Sequence, residues 1–307
     1  MVNLVTGASG FIGRYLVAHL RREHPDEKTV GLSRSEFHQR DVTHYSVDMN
    51  ERSSLRSALA QISPDRVYHL AGISRVSDAL PGHFEQGFLT TVALFEELKT
   101  LSRPVRVFLA SSAHVYGNQE GSISEEAPAR PVSAYGFCKY LAEQTSRHAV
   151  QASNIKVVVG RLYNCIGPGQ GEGFVVSDLA RRILKAVESK NPVLKTGSLS
   201  ARRQFIDIRD LVELLPKLLA TEFASSIEVF NIASPHSRRI EEIVQMLLKV
   251  VGRKVKIESD ADVARNPFRG LDLNTSRLQS LLQPTFRSLE TSVEDLFHSI
   301  KSAKRPS

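Results

Sequence analysis

The stretch "VNLVTGASGFIGRYLVAHLRREH" constrains the fold more than any other part of the chain. An apolar, β-rich run enters a turn with glycines at 7, 10 and 13, and an amphipathic helical pattern leaves it. Glycine lets a backbone turn tightly and come close to a ligand. A helix that starts there points free N–H groups and the positive end of its dipole at an anion. The spacing is GxxGxxG rather than the usual GxGxxG, but a strand precedes it and a helix follows. That is the context of a diphosphate-binding turn in a dinucleotide fold.

The rest of the chain repeats the alternation. Apolar runs "KTVGLSR", "HYSVD", "DRVYHLAG", "VRVFLASS" and "IKVVVGRL" read as strands, separated by amphipathic segments that read as helices. Strands alternating with helices predict βαβ units, a parallel sheet and right-handed crossovers. The expected fold is therefore α/β, a doubly wound parallel sheet of Rossmann type with a smaller C-terminal substrate-binding domain. The expected division is 1–162 for the dinucleotide domain and 163–307 for the substrate domain. The two interleave, with a strand and helix returned to the first from about 203–232. Further helices are expected at "FLTTVALFEELKTL", about 134–151 and 288–301, and "RQFIDI" is expected as one strand.

Composition narrows the function. With 41% hydrophobic and 24% charged residues, the chain matches an ordinary globular protein. No apolar run approaches the ~18 residues of a membrane span. The N-terminus lacks the layout of a signal peptide, so a cytoplasmic location and no membrane partner are expected. Cys138 and Cys165 fit a reducing compartment, lie in no metal-ligand spacing, and the ten histidines form no HxH or HExxH pattern. No metal is expected. The net charge of +7 suits either a general basic surface or a polyanionic small molecule. Nucleic acid is not expected, because the arginines are spread out and Trp is absent.

The second strand ends "GLSRS". The acidic residue that binds the ribose 2′-hydroxyl of NAD is missing there, and Ser33 and Arg34 take its place. Arginine matches a 2′-phosphate, so NADP(H) is expected over NAD(H), which stays possible; otherwise Arg34 is a solvated surface residue. Asp48 is placed either to meet the adenine edge or to cap the following helix.

"SAYGFCKYLAEQ" sets Tyr135 and Lys139 four residues apart on one face of a helix. Ser112 lies upstream, at the end of the fifth strand, where open α/β sheets form their sites. Gly7/Gly10/Gly13, Ser112 before the "VYG" of Tyr116, and Tyr135/Lys139 occur in that order. Together they resemble the extended short-chain dehydrogenase/reductase family over almost the whole chain. The resemblance implies that Ser112, Tyr135 and Lys139 are catalytic, with a lysine ammonium lowering the tyrosine pKa. It implies cofactor contacts at Gly7, Ser9, Gly10, Phe11, Ile12, Gly13, Ser33, Arg34, Asp48, Met49, Leu70, Ala71, Gly72 and Leu162, besides Tyr135 and Lys139.

Three segments resemble the members of that family that act on GDP-mannose derivatives, the GDP-6-deoxy-mannose reductases and GDP-mannose 4,6-dehydratases. They are "RLYNCIGPGQGEGFVVSDLARRI", "GSLSARRQFIDIRDLV" and "EVFNIASPHSRRIEEIV". This implies a nucleotide diphosphate-sugar substrate, met by Ser112, His114, Asn164, Val175, Val176, Arg182, Arg203 and Arg265 or Arg269. The dehydratases resembled carry an acidic residue just after the catalytic serine, where this chain has Ala113 and His114, so the resemblance implies that dehydration is disfavoured. His114 is either a base or structural. The expected reaction is NADPH-dependent reduction of a sugar 4-ketone, with GDP-4-keto-6-deoxy-mannose as the expected substrate. The alternatives are a 4-epimerase retaining NAD, then a dehydratase or a non-catalytic nucleotide-binding protein. The resemblance also implies a homodimer through helices at about 84–101 and 135–150.

Overall fold

A computed structural model describes residues 1–40, 42–73, 80–259 and 270–303. The first half runs β1 (Val2–Thr6), α1 (Phe11–Glu23), β2 (Lys28–Ser33), β3 (Thr43–Ser46), α2 (Arg52–Ile62), β4 (Arg66–His69), α3 (Leu80–His83), α4 (Thr90–Leu98), β5 (Val105–Ser112), β6 (Ser122–Ile123), α5 (Ala134–Ala149) and β7 (Ile155–Leu162). The second runs β8 (Cys165–Ile166), α6 (Val175–Ala186), β9 (Val193–Thr196), β10 (Arg202–Gln204), β11 (Ile206–Asp207), α7 (Ile208–Ala220), β12 (Ile227–Ile232), β13 (Ser237–Arg239), α8 (Ile240–Val251), β14 (Lys256–Ser259), β15 (Asp272–Leu273), α9 (Ser276–Leu282) and α10 (Leu289–Ala303).

Seven strands form one parallel sheet in the order β3-β2-β1-β4-β5-β7-β12. The doubly wound sheet expected from the sequence is therefore present. Its central strands are buried on both faces because helices cover both. In β5, Val105, Val107 and Leu109 enter a core shared with Leu55, Leu59, Leu94 and Phe95 of α2 and α4. Phe108 and Ala110 enter the opposite core, shared with Leu16 and Leu20 of α1 and Leu211, Leu215 and Leu218 of α7. A third core joins α6, α8 and α10 through Ile183, Ile243, Val244, Leu296 and Phe297. The strand order reverses between β1 and β4, which opens a crevice at their carboxyl ends.

Local chemistry explains the departures from the sequence reading. "RQFIDI" is not one strand. Its first part, β10, pairs antiparallel with β13, and β11 pairs parallel with β8. The buried Gln204 ends the first part: its side chain donates to Ser234 O and Leu273 O and accepts from Leu273 N. The helix expected at "FLTTVALFEELKTL" starts earlier, at Leu80, and passes through a π turn, Phe84–Leu89, before α4. Thr90 and Thr91 hydroxyls bond the carbonyls of Gln86 and Gly87 there. Helix α9 was not foreseen. No helix among the described residues is long and apolar enough to cross a membrane.

A buried polar knot joins four of these elements beneath the carboxyl end of the sheet. Arg161 of β7 meets Glu143 of α5 with both carboxylate oxygens, at 2.8 and 3.1 Å. Ser111 of β5 donates to the same carboxylate. Arg161 also donates to Tyr116 Oη at 2.7 Å, and that hydroxyl donates to Asn231 of β12 at 2.7 Å. Removing one partner of such a buried pair leaves the other charge uncompensated. Arg161→Met is therefore expected to lose about 3–5 kcal/mol of stability in urea unfolding, and Glu143→Gln in that background to recover part of it.

Candidate functional site

The site is assembled by the carboxyl ends of the strands and the helix starts that follow them. Gly7 closes the β1–α1 turn with φ +70°, and its N–H bonds Leu32 O at 2.8 Å. A Cβ on Gly7 would lie 2.9 Å from the Ala71 nitrogen, and one on Gly13 would lie 2.2 Å from Gly7 O. Gly7 and Gly13 therefore seat the helix against the sheet. Gly10 stands at the N-cap of helix α1 and supplies no side-chain cap, so the first N–H groups of the helix are available to an anion.

A cavity of about 190 Å³ opens here, lined by Gly7, Ser9, Gly10, Ser33, Arg34, Asp48, Met49 and the Leu70–Gly72 segment. Arg34 is exposed at the end of β2 and donates to Gln86 Oε1 at 3.1 Å. Asp48 accepts from Asn50 N at 3.0 Å, a turn contact just before α2. Gln86, Asn50 and Thr90 line the same cavity and were not foreseen; they come from other elements, so the β2 sequence gives no sign of them. Gly13 and Phe11 line neither cavity. Gly13 is packed on Gly7, and Phe11 stacks edge-on against Tyr15 at 5.7 Å.

Leu70 and Gly72 also border a second cavity of about 1020 Å³. It brings together Ile12, Ser112, His114, Tyr135, Lys139, Leu162, Asn164, Val175, Arg182 and Arg203. Val176, expected to meet the substrate through its backbone, turns its side chain into the third core. One turn of helix separates it from the cavity-lining Leu179. Arg265 and Arg269 lie outside the described residues. Asn118, Tyr163 and Thr196 line the cavity without having been foreseen.

Ser133 caps α5 by accepting from Gly136 N at 3.1 Å. A Cβ on Gly136 would lie 2.5 Å from His114 O, so the helix start rests directly on the turn after β5. Tyr135 and Ser112 thereby both face the large cavity. Its ring is flanked edge-on by His114 at 5.4 Å and by the buried His83 at 5.7 Å. His83 was missed, because "ALPGH" carries no periodic helical signal. Lys139 Nζ donates to Ala110 O at 2.7 Å and lies 5.9 Å from the Tyr135 ring centroid.

Burial dominates the protonation of these groups. It raises the Tyr135 pKa above its ordinary value, and the neighbouring Ser112 hydroxyl only partly offsets this. That corrects the expectation of a tyrosine made more acidic by Lys139. Burial likewise brings Lys139 down to about 8 and His114 down to about 4, the latter with help from the Arg203 charge. His69, held between Thr6 Oγ1 at 2.8 Å and Thr91 Oγ1 at 3.0 Å, falls to about 3 by burial and by the Lys139 charge.

The residues present fit a dinucleotide. An uncapped helix start faces the smaller cavity, and the shared Leu70 and Gly72 allow one elongated molecule to reach from it to Tyr135. The model of the NAD dependent epimerase/dehydratase family matches residues 3–233. The chain belongs to that family. Members resembling it include the GDP-6-deoxy-D-mannose reductase of Pseudomonas aeruginosa, 30% identical over 85% of this chain and 83% of that one. The GDP-6-deoxy-D-talose 4-dehydrogenase of Aggregatibacter actinomycetemcomitans is 26% identical over 96% of each chain. Among solved structures, MoeE5 in complex with UDP-glucuronic acid and NAD superposes with a TM-score of 0.85. It is 25% identical and covers 99% of this chain and 100% of its own. As a member of the epimerase/dehydratase family, the protein is an NAD(P)-dependent oxidoreductase.

The lowered histidine values make stability depend on pH. His114 titrates near 4 when folded and near 6.5 when unfolded, so the unfolded chain binds more protons between those values. Stability is expected to fall as pH drops from 6.5 toward 4. His114→Asn should flatten that decline by up to about 3 kcal/mol, read from urea midpoints across the range.

Proposed function

We propose that the protein reduces the 4-ketone of a nucleotide-activated 4-keto-6-deoxy sugar with NADPH, and that GDP-4-keto-6-deoxy-mannose is its substrate. One observation carries the reading. Ser112, Tyr135 and Lys139 converge on a large cavity whose one carboxylate among the described lining residues, Asp178, is engaged by Gly173 N at 2.9 Å. A ketone reduction needs a hydroxyl pair and a proton donor there, and no carboxylate. A dehydration needs a further acid and base, and Ala113 and His114 occupy the place for them.

The chain's own residues account for the proton. With its pKa raised, Tyr135 holds its proton at neutral pH and presents it, together with the Ser112 hydroxyl, to the ketone oxygen. The reduced nicotinamide supplies the hydride to the carbon when bound. The Tyr135 proton passes to the oxygen, leaving an alcohol and a phenolate. Lys139 keeps N–H donors beyond its bond to Ala110 O; these would hold the ribose hydroxyls of the bound cofactor. Arg34, exposed beside the smaller cavity with no acidic residue at the end of β2, supports NADPH over NADH.

A 4-epimerase that retains NAD is the second reading, favoured by the similarity to MoeE5, whose structure contains NAD. The two differ in cofactor balance. Net loss of NADPH absorbance with GDP-4-keto-6-deoxy-mannose is expected, faster than with NADH, and Arg34→Ala should narrow that difference. Interconversion of a sugar pair without net cofactor loss would replace the reductase reading by the epimerase one. Tyr135→Phe is expected to cut kcat by roughly 10²–10⁴-fold while NADPH binding persists. The exposed Phe84, Leu89 and Phe137 support pairing of two copies along the helices at 84–101 and 135–150. Light scattering should then give twice the 34.1 kDa chain mass.

A further inference from the structure

The ribbon of β10 and β13 carries arginine at four of its six paired positions: Arg202 faces Arg239, Arg203 faces Arg238, and Gln204 faces Ser237. Directly paired residues share a face of a ribbon, and neighbours along a strand alternate. Ala201, Arg203 and Ile240 all line the large cavity, and Ile240 N bonds Ala201 O at 2.9 Å, which continues the register. The face bearing Arg203 is therefore the cavity face, and Arg238 stands directly across from Arg203 in the ribbon, part-exposed and beside the lining residues rather than among them.

The two faces use their arginines differently. On the outer face Arg202 is spent locally, bonding Ser237 Oγ at 3.2 Å and Ser237 O at 3.1 Å. On the cavity face Arg203 donates to Arg202 O at 2.8 Å and lies close over Gly270, where a Cβ would meet its Nη1 at 1.8 Å. Arg238 has an ion pair with Glu242 at 3.8 Å, longer than a hydrogen bond. The other oxygen of Glu242 accepts from Arg239 N at 2.7 Å. Arg182 of α6 lines the same cavity. Like charges set opposite each other weaken a ribbon, and this one carries two such pairs in succession. A doubly charged anion lying across Arg203 and Arg238 removes that repulsion, and two guanidinium forks suit its oxygens.

We propose that Arg238 is a binding residue of the substrate site, forming with Arg203 a cross-strand clamp for the diphosphate of a nucleotide sugar. The clamp rests on the nucleotide-sugar reading given above. The chemistry it selects is a nucleoside diphosphate at this end of the cavity, with the sugar directed toward Ser112 and Tyr135.

Titration calorimetry of the NADPH-loaded full chain with GDP, and with UDP in parallel, tests it without any turnover. Arg238→Gln is expected to weaken nucleoside diphosphate binding about 10–100-fold, Arg238→Lys to weaken it less, and neither to change NADPH affinity. The thermal midpoint of the ligand-free Arg238→Gln protein should be equal to that of the parent or higher, since a like-charge pair is relieved. Parent-like GDP and UDP affinity in Arg238→Gln would overturn the clamp and leave the reductase reading standing. A parent protein that binds neither GDP nor UDP would instead overturn the nucleotide-sugar reading, and the clamp with it.

Discussion

The buried contact between Arg161 and Glu143 governs where the chemistry happens. Tyr135, Lys139 and Glu143 follow one another at intervals of four residues along one face of α5. Glu143 is fixed from below by Arg161 of β7 and Ser111 of β5, while the helix start is pressed onto the turn after β5. A helix held at two points a little over two turns apart has no freedom to rotate. A slip of one residue would swing Tyr135 by about 100° away from Ser112. The pair thus fixes the position of a phenol more than 10 Å up the helix, by the ~1.5 Å rise per residue.

Within that frame, desolvation outweighs charge. Tyr135 and Lys139 share a helix face, yet the phenol is harder to ionise than in water and the ammonium easier to discharge. The ammonium is 5.9 Å from the ring centroid and is already engaged with a carbonyl. The cleft therefore favours a neutral phenol, the state suited to giving a proton to a substrate oxygen. The His114 and His83 rings flank the phenol edge-on, and burial keeps His114 neutral at ordinary pH.

The sequence carried the periodic parts of this molecule well. Glycines at 7, 10 and 13, the apolar strands and the Tyr135/Lys139 spacing are local signals with local causes. What escaped depended on contacts distant in the chain. Gln204 interrupts "RQFIDI" because its amide is claimed by Leu273, 69 residues on. His83 reaches Tyr135 only because the helix begins at Leu80. The acidity of Tyr135 was misjudged because burial is not visible in a spacing.

Strand β12 has a consequence for how the chain becomes a protein. It closes the edge of the sheet beside β7, and its Asn231 reaches back 115 residues to Tyr116. Until that segment leaves the ribosome, β7 offers an open strand edge and the polar knot around Arg161 lacks its last member. Partners so far apart form late and slowly, and open edges invite pairing with other nascent chains. Assembly of the cleft is thus a late event in biogenesis, and the emerging polypeptide has reason to be shielded by a chaperone while it waits.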